Sequence, residues 1–209
     1  MNEVQKFISS VIIVFFSIIA HECAHGWMAF RRGDPTAKLA GRLTINPLRH
    51  IDPIGTLFIP GILLYMRSLG YPVIVVGWAK PVPVNFARLK NPKKDMVWVG
   101  LSGPLTNIGI ALVFRLMLLI PLKSAYVELC LFGMFVNLLL AVFNLIPIPP
   151  LDGSRFVMGF LPFRIAKAYS YLEPFGILIV IFLLYFGLLQ QIILPIIELF
   201  GGLMGVQFK

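Results

Sequence analysis

The sequence predicts an all-α polytopic membrane protein, and three observations carry that prediction. The 209 residues are 58% hydrophobic and their mean hydropathy is +0.89, well above what a water-exposed surface tolerates. Several apolar runs approach or exceed the ~20 residues a helix needs to cross a bilayer. The Lys and Arg residues gather in the loops on one side, as the positive-inside rule requires. A formal charge of +9 would point to nucleic acid in a soluble domain; distributed this way it points to a lipid bilayer and to no nucleic acid. About five membrane-spanning helices are expected, with a short extended or re-entrant membrane-associated segment. Cys23 and Cys130 both lie in apolar runs, so no disulfide framework is implied.

Taken in order, the first helix covers about 4–30 and stops at Arg31-Arg32-Gly33-Asp34-Pro35. Gly and Pro end it, and the arginines mark the aqueous boundary. Its start lacks the ordered parts of a cleavable signal peptide, so it is read as a retained helix. Arg31, Arg32, Lys38, Arg42 and Arg49 place the next loop in the cytoplasm and the N-terminus outside, with the cell (plasma) membrane as the expected location. Residues 54–69 form a short apolar segment interrupted by Pro60-Gly61; a tilt, a kink and a re-entrant hairpin are all open to it. Residues 70–85 are β-branched and punctuated by Gly and Pro, which reads as extended chain. Such backbone at membrane depth needs protein or a water-filled cavity around it; a plain cytoplasmic loop is the alternative.

A second basic loop holds Lys80, Arg88, Lys90, Lys93 and Lys94. The third span runs from about 95 to 120, with Arg115 near its far end able to snorkel to the outer interface. After a short turn at 121–124 the fourth span, about 126–146, returns antiparallel and ends at Pro147-Ile148-Pro149-Pro150-Leu151-Asp152-Gly153. A last run at about 174–200 is long enough to cross once more, with Pro195 as its weak point. Thirteen of the eighteen Lys and Arg residues fall in segments assigned to the cytoplasm, which fixes the orientation.

The chemistry centres on His21-Glu22-x-x-His25 in the first helix. A four-residue spacing puts both imidazoles on one helical face, one turn apart, where they can share one zinc ion. Glu22 beside them can reach water at that metal. Chance also produces this pattern, but ionisable groups in an apolar helix are costly and usually functional. The histidines precede Arg31 by six and ten residues, which places them roughly 9–15 Å below the boundary. Cys23 lies about 200° around the helix from His21 and is assigned to packing.

A catalytic zinc site usually has three protein ligands and a water. Candidates for the third are His50, Asp34, Asp52, Asp95, Glu128, Asp152, Glu173 and Glu198. Glu128 sits at the wrong end of its span, Asp34 and Asp52 suit turns and caps, and His50 suits a solvated or capping role. Asp152 is best placed, at the start of a short helix after a rigid Pro-rich turn; N-capping that helix is its competing role. Asn107, Asn137 and Asn144 can line a path for water, or bond between helices, the role favoured for Asn137.

His21-Glu22-x-x-His25, then Gly103-Pro104-x-x-Asn107, then Asn144-x-x-Pro147-x-Pro149-x-x-Asp152-Gly153, together resemble the site-2 protease family of intramembrane zinc metalloproteases. Gly77-Trp78-Ala79-Lys80-Pro81-Val82-Pro83-Val84-Asn85 also resembles a family segment. The resemblance implies one zinc per chain held by His21, His25 and Asp152, with Glu22 as general base. It further implies that Asn107 and Asn144 position substrate or polarise its carbonyl. Residues 1–209 then form a single intramembrane metalloprotease domain, with a catalytic core at about 5–160 and a C-terminal membrane helix at about 174–200; it looks like a minimal member without PDZ or CBS modules. The expected partner is a transmembrane protein substrate, unwound locally and paired along residues 71–85 by β-augmentation. A membrane metal-ion transporter using the same His and Asp cluster is the competing function.

Overall fold

The structure, a computed structural model, describes residues 1–73, 77 and 79–208. Helix α1, Glu3–Arg31, opens with a capping box in which Asn2 and Gln5 bond each other's backbone amides at 2.8 and 3.1 Å. It closes at Arg32, and Gly33 follows with φ +110°, a left-handed conformation that favours glycine. A short helix α2, Thr36–Leu39, turns the chain back along α1. After it, Asp52 caps a π-wound segment, Pro53–Phe58, by accepting from the amides of Ile54 and Gly55 at 3.0 and 2.7 Å. Helix α3, Ile59–Ser68, continues from there. Pro60 stands where the π winding gives way to α3, and the helical backbone runs on through Pro60-Gly61.

Helix α4, Pro92–Met117, is the centre of the molecule and packs against α1. It also packs against α5, Ser124–Asn144, and against α6, Asp152–Phe160. Beyond α7, Phe163–Ser170, come α8, Glu173–Tyr185, and α9, Leu188–Leu203. One core joins α4, α5, α8 and α9 through Ala111, Met134, Leu138, Val142, Val180, Leu189, Ile193 and Ile197, all nearly inaccessible. A smaller one, built on Ala29, Leu89 and Val99, closes the basic end of α1 against α4. Outside these cores large apolar side chains face outward, Val4, Phe7, Ile8, Val11 and Ile12 on α1 among them. In water that surface would be unfavourable; in lipid it is the expected exterior.

The chain is all-helical among the described residues and is a multi-pass membrane protein, but the span count differs from the expected five. Among the described residues three helices, α1, α4 and α5, are long and apolar enough to cross; α7 and α8 make a fourth if that pair, bent by 64°, counts as one span. The segment at 54–69 falls short because α3 has ten residues, about 15 Å of helix against a ~30 Å hydrocarbon core. The last run breaks at Gly187, which takes a left-handed conformation with φ +72° between α8 and α9, whereas Pro195 is accommodated inside α9. Of the extended reading for 70–85, residues 74–76 and 78 lie outside the described residues; the described remainder forms no strand. Near the far end of α4, the Nε of Arg115 donates to the carbonyl of Met204 at the end of α9.

Candidate metal centre

His21 and His25 are buried on the face of α1 that packs on α4, 6% and 8% exposed. Asp152, 131 residues on from His21, reaches them from the first turn of α6. Its Oδ2 lies 3.0 Å from His21 Nε2 and 3.1 Å from His25 Nε2, and the two nitrogens are 3.0 Å apart. Three donors on tetrahedral corners at the usual ~2.0–2.1 Å from zinc would stand about 3.3 Å apart. The donor set is therefore the right chemistry at close to the right spacing. Asp152 does not cap α6: its cap residue is Leu151, and Ser154 Oγ donates to the Leu151 carbonyl at 2.6 Å.

Helix α4 fixes both rings from behind. His25 Nδ1 faces the Val99 carbonyl at 2.7 Å, and a carbonyl only accepts, so the proton is on Nδ1 and the Nε2 lone pair is free. The same follows for His21 by a longer chain. Asn137 Nδ2 must face the Gly133 carbonyl (2.8 Å), so its Oδ1 takes the Asn107 Nδ2 donor at 2.8 Å. Asn107 then turns Oδ1 toward His21 Nδ1, 2.6 Å away, and that nitrogen donates. Asn137 Nδ2 also donates to Ser17 Oγ at 2.9 Å, so the network ties α1, α4 and α5 together. Between Val99 and Asn107, four residues from each, stands Gly103. A Cβ there would lie 2.5 Å from both Nε2 atoms; the space it leaves beside the donors is the second sign that they suit a metal.

Glu22 is half-buried on the same helix, and its Oε2 accepts from the Val82 amide at 2.8 Å. It lines one cleft of about 320 Å³ with His21, His25, Asp152, Asn144 and Arg155. Asn144 therefore stands at the cleft, its Nδ2 donating to the Leu140 carbonyl at 2.9 Å. Asn107 does not: it is fully buried with both ends of its amide engaged, so the expected contact with substrate is corrected to a place behind His21. Asn137 bonds between helices, the role favoured for it. His50, read as solvated or capping, is completely buried, with Nε2 on the Thr44 carbonyl at 2.8 Å.

Sequence reasoning missed the Val99 carbonyl and the approach that Gly100 and Gly103 allow. A Cβ on Gly100 would come within 3.0 Å of the Asp152 carbonyl. The available signal was the cluster of small residues Gly100, Ser102 and Gly103 in an apolar helix, since small residues let membrane helices approach closely. Outside the membrane-spanning helices, Asp34 is fully buried beside the strap at 80–85. Burial would raise its carboxyl, but bonds from the Thr36 hydroxyl, the Asn85 amide and the Thr36 amide, with the Arg88 charge, outweigh it and hold it below the usual carboxylate range.

Residues 121–187, which include Asn144 and Asp152, match the model of peptidase family M50. A Bacillus subtilis protein named "Putative zinc metalloprotease YwhC" is 32% identical over 198 residues, 90% of this chain and 85% of that protein. "Putative zinc metalloprotease Rip2" of Mycolicibacterium smegmatis is 27% identical over 215 residues, 99% of this chain and 78% of its own. "Zinc metalloprotease MJ0392" of Methanocaldococcus jannaschii is 27% identical over 203 residues, 90% of this chain but 46% of its own. No solved structure matches the chain. By that breadth of identity, the chain belongs to the site-2 protease family of zinc metalloproteases, peptidase family M50.

Proposed function

We propose that the chain is an intramembrane zinc metalloendopeptidase that cleaves peptide bonds within or near transmembrane segments of membrane proteins. One observation carries the reading: three metal donors converge within 3.1 Å of one another in a membrane-crossing helix bundle, with a carboxylate in the same cleft. His21, His25 and Asp152 hold the zinc. When bound, zinc supplies Lewis acidity to a water and to the substrate carbonyl.

The remaining work falls to the chain's own groups. Glu22 accepts a proton from the water as its oxygen bonds to the carbonyl carbon, and returns it to the amine nitrogen as the C–N bond breaks. Asn107 and the Val99 carbonyl hold the two imidazoles in the tautomer that leaves Nε2 available. Asn144, at the cleft wall, is placed to hydrogen-bond substrate backbone. Phe7, Val11, Val14 and Ile18 line an apolar cleft of about 560 Å³ on α1. At helical spacing the same stripe continues to Glu22 one turn further on, which suits a substrate that arrives from lipid as an apolar segment. Peptide carbonyls are hidden within an intact helix, so that segment unwinds before cleavage.

The active site is oriented toward the cytoplasm. Lys6 pairs with Glu128 at 2.7 Å at the opposite end of the bundle, whereas Arg31, Arg32 and Lys90 border a cleft at the active-site end. Glu22→Gln tests the reading, because it keeps the side chain's shape and gives up the base. Zinc content should stay near one per chain while cleavage falls by about 10²–10⁴-fold. Near-normal cleavage by that variant, or zinc flux across liposomes without any cleavage, would overturn it; the second result would indicate a transporter.

A further inference from the structure

The loop after α2 folds back over α1 and buries a cation. Arg42 is 8% exposed, and among the described residues no carboxylate pairs with it. Among the described residues its guanidinium donates only to backbone carbonyls, through Nη1 to Arg49 and through Nη2 to Lys80 at 2.6 Å and Pro81 at 3.2 Å. A buried cation without a counter-ion is costly, and a loop that merely needed closing could be fastened by neutral groups. The Pro81 carbonyl supplies the reason. It and the Val82 N–H are the two ends of one planar peptide unit, and that N–H donates to Glu22 Oε2 at 2.8 Å. The order is guanidinium, peptide, carboxylate. Fixing the oxygen end aims the N–H, and the cation polarises the peptide so that it donates more strongly.

The surroundings hold this arrangement still. Gly26, one turn beyond Glu22, lets the strap lie against α1: a Cβ there would come 2.6 Å from Val82 Cγ1 and 2.7 Å from Leu43 Cδ2. Lys80 N–H donates to the His50 carbonyl at 2.9 Å. Cys23, beside Glu22 in sequence, donates through Sγ to the Thr44 carbonyl at 3.1 Å, pinning the same loop to the helix. Glu22 Oε1 makes no hydrogen bond among the described residues.

We propose that Arg42 is a positioning residue for the general base: through the Pro81–Val82 peptide it fixes Glu22 Oε2 and leaves Oε1 to take the proton. This rests on Glu22 being the base. The experiment compares wild type, Glu22→Gln, Arg42→Ala, Arg42→Lys, Val82→Pro (which removes the N–H) and the Arg42→Ala/Val82→Pro double variant. Each is purified whole and assayed on a single-span substrate in proteoliposomes for kcat, KM and zinc per chain. Arg42→Ala should lower kcat about 10–100-fold, the cost of a misplaced catalytic group, with KM and zinc near wild type. Val82→Pro should do the same, and the double variant should fall no further than the worse single, as in a shared path. Arg42→Lys should recover part of the loss, as should guanidinium ion added to Arg42→Ala.

Wild-type kcat in Arg42→Ala alongside an inactive Glu22→Gln would overturn the proposal and leave the base assignment standing. Losses that multiply in the double variant would overturn it too. If Arg42→Ala does not fold, Arg42→Lys decides, and its loss of zinc together with activity would make Arg42 a structural staple only. Activity in Glu22→Gln would instead remove the base assignment itself.

Discussion

Gly103→Ala is the sharpest perturbation of the metal centre, because one methyl group lands on two donors at once. The new Cβ would stand 2.5 Å from His21 Nε2 and His25 Nε2 and 2.6 Å from His21 Cε1. Ordinary van der Waals contact is about 3.5–4.0 Å, so each ring must retreat by about 1 Å. Neither can do so freely, since Val99 and Asn107 on the same helix hold the rings by their Nδ1 atoms at 2.7 and 2.6 Å. Overpacking of this kind costs about 1–3 kcal/mol, which at about 1.4 kcal/mol per factor of ten is a zinc affinity up to about 5–150-fold weaker. The assay is zinc retained by purified protein against a graded competing chelator, with cleavage measured in parallel. Gly109→Ala is the matched control, on the same helix with nothing within 4 Å of its Cβ, and should match wild type. Wild-type zinc affinity and cleavage in Gly103→Ala would refute the donor geometry.

Asn107→Ala removes the acceptor on His21 Nδ1 and leaves the Asn137 amide short of a partner; zinc affinity should fall about 10–100-fold in the same competition assay. Asp34 predicts a pH effect with a definite sign. Its folded pKa is depressed, so its stabilisation is present above the unfolded value of about 3.9 and is lost as pH falls through the folded one. Asp34→Asn should therefore melt below wild type at neutral pH, and the two melting temperatures should converge on acidification; a gap independent of pH would refute it. For orientation, single cysteines at Lys38 and Lys123 should label from the cytoplasm and from outside respectively, and the reverse would overturn the placement of the cleft.

The members of the cluster were easier to read from the sequence than the groups that support them. His21 and His25 were legible because helical periodicity alone sets two imidazoles on one face. Asp152 was legible as the carboxylate at the matching depth beside a helix start. Asn107 was found but given the wrong neighbour, because sequence spacing does not say which way an amide on α4 turns, and here it turns toward His21 Nδ1. Arg42 and His50 read as loop residues, since their burial depends on the loop folding back over α1, a tertiary outcome with no local signature. The long spans α1, α4 and α5 followed directly from hydropathy. The C-terminal run did not, because Pro195 was read as its weak point, whereas the left-handed residue that separates α8 from α9 is Gly187.

The central claim is that the His21, His25, Asp152 and Glu22 cluster cleaves peptide bonds inside the membrane. Its most direct test is the purified wild-type protein, reconstituted with a single-span substrate and sampled before zinc chelation, after it, and after zinc is restored, with the products mapped by mass spectrometry. The account predicts cleavage within or next to the apolar segment, its loss on chelation and its return with zinc. Cleavage that survives complete zinc removal, or a zinc-loaded protein that cuts no member of a substrate panel, would contradict it.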